Sequence, residues 1–218
     1  TQFAAAVRYA SRRTGIMLGI VTAIAIAFLG YPIVQFAVVF AESVYRVGKL
    51  QYGLLAAAMG IGALVAAPLV SGWDAVVPRA TVTRVALPIY GAAVFLFGIS
   101  GRFWLGIVAL LLAGGGFLAV ISATNTAVQI IVADSMRGRV LACRTMSFML
   151  AYSIGGLVQG QLAEWFGPRV TVGSAGALLL ACGLYLAAKP GLLAHLDDAP
   201  DSEDDTSVVT ASAPAVSS

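Results

Sequence analysis

The sequence predicts an all-α integral membrane protein with six transmembrane helices, on three observations. Hydrophobic residues make up 60% of the chain and charged residues only 11%, against about 25% charged in soluble domains. Mean hydropathy is +0.93. Six apolar stretches lie between residues 14 and 190, and the short loops between them hold nearly all the charge. Each stretch supplies the about 20 apolar residues a helix needs to cross a hydrocarbon layer ~30 Å thick. The runs are continuous, whereas the strands of a membrane barrel would alternate over about 10 residues.

Residues 1–13 place Arg8, Arg12 and Arg13 among Phe3, Val7 and Tyr9, which suits an amphipathic lead-in lying on the cytoplasmic surface. The first span, Gly15–Ala41, contains Tyr31-Pro32 and then Gln35. Pro32 removes a backbone donor and frees a carbonyl, so a bend is expected there. Gln51–Gly72 and Thr81–Ile99 follow. The turn Ser100-Gly101-Arg102 reverses the chain into Phe103–Val132, which is long enough to tilt or to project from Ser122 onward. A charged loop leads to Val140–Trp165, and Phe166-Gly167-Pro168-Arg169 turns into Val170–Ala188. Turns this short hold neighbouring helices antiparallel. Residues 14–190 thus form the membrane unit. Residues 191–218 read as a disordered acidic cytoplasmic tail, since Asp197 to Asp205 carries six of the ten acidic residues.

Charge placement predicts orientation. Glu42, Asp74, Asp134 and Glu164 fall at or beyond helix ends, and Arg84 and Arg144 are expected to snorkel from about one turn inside. No charge is expected at a helix centre, where it would cost about 2.5–3.5 kcal/mol. One side collects Arg8, Arg12, Arg13, Arg79, Arg84, Arg137, Arg139, Arg144 and Lys189, and the other Arg46, Lys49, Arg102 and Arg169. Nine against four places both termini in the cytoplasm of a multi-pass plasma- or inner-membrane protein. The pI of 9.1 is therefore a topology signal and implies no nucleic-acid partner. Cys143 and Cys182 lie in apolar helices, where cysteine packs as a small apolar residue. No signal peptide is visible. The first residue is Thr1, as expected of a fragment or of the second half of a longer protein.

Polar residues inside spans mark a translocation path or bonds between helices, and both readings stand at this point. Tyr31 and Gln35 flank the proline. Asn125 and Gln129, four apart, share a face. Tyr152 and Gln159, seven apart, align on the fifth span. At one end, Asp134, Arg137 and Arg139 crowd into six residues and, with Asp74 and Arg79, are candidates for a gate closed by charge pairs. Gly15/Gly19, Gly60/Gly62, Gly114–Gly116 and Gly156/Gly160 suit close helix packing. Enzyme readings fare poorly. Gly98-Ile99-Ser100-Gly101 matches a short signature of rhomboid proteases, but the one histidine, His195, lies beyond the last span, out of reach as a base. Gly60-Ile61-Gly62 has no preceding strand to make a dinucleotide loop. Neither a Walker lysine nor a metal-ligand cluster is present, so no catalytic residue, cofactor or metal is expected.

Four passages carry a resemblance: Gln51 to Leu64, Phe97-Gly98-Ile99-Ser100 leading to Phe103-Trp104, Asn125-Thr126-Ala127-Val128-Gln129 followed by Asp134-Ser135-Met136-Arg137-Gly138-Arg139-Val140, and Leu162 to Arg169. Through them the chain resembles the carboxyl-terminal half of a major facilitator superfamily transporter, in the bacterial branch of drug, macrolide and siderophore exporters. The resemblance spans residues 14–188 and implies helices seven to twelve, two inverted three-helix repeats that make half of a central cavity. It implies export of a small amphipathic substrate by alternating access, coupled to protons, with an amino-terminal six-helix half as partner and the lipid bilayer as solvent. The family's gating motif after the second span is irregular here, reading Gly72-Trp73-Asp74 and then Arg79. With no carboxylate deep in a span, a proton carrier is expected in the other half, or at Glu42 or Asp74. The alternative is a truncated or scaffold six-helix protein with no transport of its own.

Overall fold

The computed structural model describes residues 8–73 and 77–199, with residues 69–73 described by backbone alone. Among them, six helices are long and apolar enough to cross a membrane. α1 covers Thr14–Val44 and α2 covers Lys49–Trp73. α3 is Arg79–Ile99, α4 Phe103–Ile131, α5 Asp134–Phe166 and α6 Pro168–Ala187. A short α7, Pro190–Ala194, runs into a 3-10 turn over His195–Asp197.

Interior packing is dictated by glycine. A Cβ on Gly62 would overlap the Leu111 carbonyl, and one on Gly114 would overlap that of Met59, so α2 and α4 cross backbone to backbone. Gly98 and Gly176 do the same for α3 against α6. Without a hydrophobic drive between helices in lipid, such close approach supplies the attraction. Gly60 and Gly160 have nothing within 4 Å and take no part in it. Two cores result. One gathers Phe36, Phe40, Tyr90, Phe97 and Leu110. The other gathers Ile16, Ile131, Met136 and Val140 at the arginine-rich end. Outside them, Leu64, Met146, Leu150 and Leu157 are exposed, as lipid or a partner surface requires.

Three expectations need correction. The Asp134–Arg139 segment is not a loop: α5 begins at Asp134, because that carboxylate suits a helix N-terminus and pairs with Arg137 one turn on. The tail boundary moves outward, since Leu193 and Leu196 are buried in the second core. Tyr9 is buried there too and accepts a hydrogen bond from the Ala133 N–H, so the lead-in is anchored by one ring at this position. Between α5 and α6 only Gly167 interrupts, at φ +85°, and Pro168 opens the next helix.

Candidate substrate-binding face

α1 is not a uniform helix. It is α-helical over Thr14–Ala25, widens to a π turn at Ile26–Gly30, and resumes at Ile33 after Pro32. Proline has no N–H, so the carbonyl of Phe28 loses its partner four residues on. Gln159 supplies the replacement. Its Nε2 donates to the carbonyls of Phe28 at 2.7 Å and Leu29 at 3.2 Å. α5 comes near enough because Gly155 lies against the Phe28 backbone. Gln159, 4% exposed, therefore holds the kink in α1, and its amide is taken by backbone.

The kink turns Tyr31 toward α4 and α5. Its ring lies 5.1 Å from Phe117, 5.8 Å from Phe148 and 4.9 Å from Tyr152, centroid to centroid. Such tilted and edge-on contacts suit aromatic quadrupoles. Gln35 donates to the Tyr152 hydroxyl at 2.6 Å and is itself exposed. A cavity of about 320 Å³ opens beside it, floored by Gly156 and Gly160 and reaching Glu164. A larger groove of about 660 Å³ between α2, α3 and α4 is lined by Val65, Val85, Ile89 and Leu112. Thr81 is its only polar side chain among the described residues, so it offers little to orient a solute.

Below the aromatic rings the same face becomes polar. Arg144 donates from Nη1 to Asn125 Oδ1 at 3.0 Å and from Nη2 to Thr124 Oγ1 at 3.2 Å. It does not snorkel. α5 starts at Asp134, so Arg144 lies ten residues in, about 15 Å along the helix, and is 6% exposed. Gln129 keeps an exposed side chain, and its carbonyl accepts from Arg137 Nε at 3.0 Å.

The charged cluster at the arginine-rich end pairs locally. Arg137 bridges Asp134 at 2.5 Å within the first turn of α5, and Arg139 Nη1 lies 3.7 Å from Met136 Sδ. Asp74 lies outside the described residues. Arg79 instead meets Asp197, whose carboxylate accepts from the Arg79 and Ala80 N–H groups at 2.9 and 3.3 Å. That carboxylate caps α3. Of the charges proposed for a gate, these tie the turn after α7 to α3, and α4 to α5.

Ser100, singled out by the protease-like string, is buried and bonded to the Tyr45 hydroxyl and the Phe97 carbonyl. Burial raises the Tyr45 phenol above its ordinary range despite the Ser100 bond and the Arg169 charge. His195 lies beside Gly15 and the α3 N-terminus, the length of α3, about 30 Å, from Ser100. Sequence reasoning missed Phe117, Phe148 and Arg144. A signal existed: Arg144, Phe148 and Tyr152 recur every four residues on one stripe of α5.

The model of one family, described as transmembrane secretion effector, matches residues 1–211. No curated protein matches the chain. A match over nearly the whole length, on a bundle of six membrane-crossing helices, places the chain in the transmembrane secretion effector family of major facilitator transporters.

Proposed function

We propose that this chain is the carboxyl-terminal half of a secondary-active exporter of amphipathic small molecules, coupled to proton exchange and working by alternating access. Both termini lie in the cytoplasm, and the arginine-rich end faces that side. The face of α1, α4 and α5 is its share of the substrate path, and an amino-terminal six-helix half supplies the rest. One observation carries this reading. Tyr31, Phe117, Phe148 and Tyr152 cluster half-buried beside an exposed Gln35, whereas Gln159 and Ser100 are buried and bonded internally. Broad apolar surface with few polar anchors suits amphipathic compounds of varied shape.

The test is accumulation of a panel of fluorescent amphipathic compounds in cells with and without the full-length protein. Several compounds should accumulate less when it is present, and Tyr152→Ala should abolish most of that difference. Equal accumulation of every compound would overturn the reading in favour of a membrane scaffold.

A further inference from the structure

Arg144 is a buried cation for which the described residues provide no counter-charge. Both of its bonds go to neutral groups, the Asn125 amide oxygen and the Thr124 hydroxyl. Its Nε is buried with no hydrogen-bond partner. The carboxylates nearest in sequence are engaged elsewhere. Asp134, ten residues away on the same helix, pairs with Arg137, and Glu164 binds Gln161 at the far end of α5. Asp197 caps α3 and Asp198 meets His195. Arginine remains charged under any ordinary condition. A cation held within a span, bonded to neutral groups alone, marks a ligand or ion site.

Its position defines the ligand. Phe148 lies one helical turn above Arg144 and Tyr152 two turns above, and Phe148 and Tyr152 both meet the Tyr31 ring edge-on. A molecule seated on the rings with an oxyanion about one turn from its apolar body would reach the guanidinium. Asn125, half-buried, now turns its oxygen to Arg144. An arriving oxyanion takes over as acceptor, and a flip of the Asn125 amide lets its NH2 group donate to the same anion.

Building on the proposed transport function, we propose that Arg144, with Asn125 and Thr124, is an anion subsite that selects amphipathic solutes bearing a carboxylate or similar oxyanion. The aromatic rings hold the apolar body, and the subsite discriminates by charge. Neutral compounds of the same shape leave Arg144 uncompensated and bind more weakly.

The experiment measures binding of naphthylacetate and of its neutral analogue naphthylethanol to the purified full-length protein, followed by naphthalene fluorescence. Wild type should prefer the acid by about tenfold. Arg144→Gln should bring the two affinities within about twofold, chiefly through loss of acid affinity. Arg144→Lys, which keeps charge without the planar fork, should retain a reduced preference. Phe148→Ala should weaken both probes equally. If Arg144→Gln fails to fold, Arg144→Lys and Asn125→Leu decide, the latter through a loss of acid affinity. A wild type that binds both probes alike overturns the anion subsite but keeps the aromatic seat. The subsite is overturned in the same way if the preference survives Arg144→Gln, or if Arg144→Gln lowers both affinities together, as a purely structural role or a fixed carboxylate from another segment would produce. Failure of wild type to bind either probe overturns both the subsite and the substrate face on which it rests.

Discussion

At the scale of single residues, hydrogen-bond demand decides which polar side chains are structural. Pro32 creates an orphan carbonyl, and Gln159 answers it from another helix. Replacing Gln159 with Leu should lower stability by about 1 kcal/mol, the usual worth of an interhelical bond in a membrane. Thermal unfolding in detergent would read this as a drop in the midpoint, and an unchanged midpoint would contradict the assignment. The proline bend and the residues Tyr31, Gln35 and Tyr152 are legible in the sequence, because a lone proline and isolated polar residues stand out in an apolar run. Sequence alone does not say that Gln159 serves the backbone while Tyr152, seven residues earlier, serves the aromatic cluster. Periodicity places both toward one neighbour but does not show what that neighbour presents. The burial of Arg144 is hidden for a related reason. Hydropathy places it about one turn inside the span but does not show that Asn125 and Thr124 of α4 hold its guanidinium.

At the scale of elements, glycine positions determine which helices touch. Gly62→Leu or Gly114→Leu should push α2 and α4 apart and reduce the folded yield several-fold, since the added carbon meets a carbonyl rather than a movable side chain. Gly160→Leu meets nothing within 4 Å and should fold normally. Size-exclusion profiles of the three variants would check this, and equal behaviour would defeat it. The spans themselves are legible, because 20 apolar residues leave few alternatives to a helix. Glycine partners are not, since Gly60 and Gly62 look alike in sequence and only one lies at the crossing. The segment after Pro190 reads as tail because its composition turns acidic, yet Asp197 finds two unpaired N–H groups at the start of α3. Asp197→Ala should cost about 1 kcal/mol. Faster proteolysis after residue 190 would register that loss, and an unaltered cleavage rate would show that the cap holds nothing.

At the scale of the whole molecule, the apolar outer surface fixes the setting. Exposed Leu64, Leu150, Leu157 and Trp165 are tolerable only against lipid or a second membrane domain. Antiparallel helices joined by short turns then put the Asp134 end and the Phe166 end on opposite sides. Cysteine labelling tests this most directly, in a background where Cys143 and Cys182 are alanine. Ser135→Cys and Phe166→Cys place single thiols at exposed positions at the two ends of α5. A membrane-impermeant maleimide should label the Phe166 position on intact cells and the Ser135 position only after permeabilisation. Labelling of both from the same side would contradict the account.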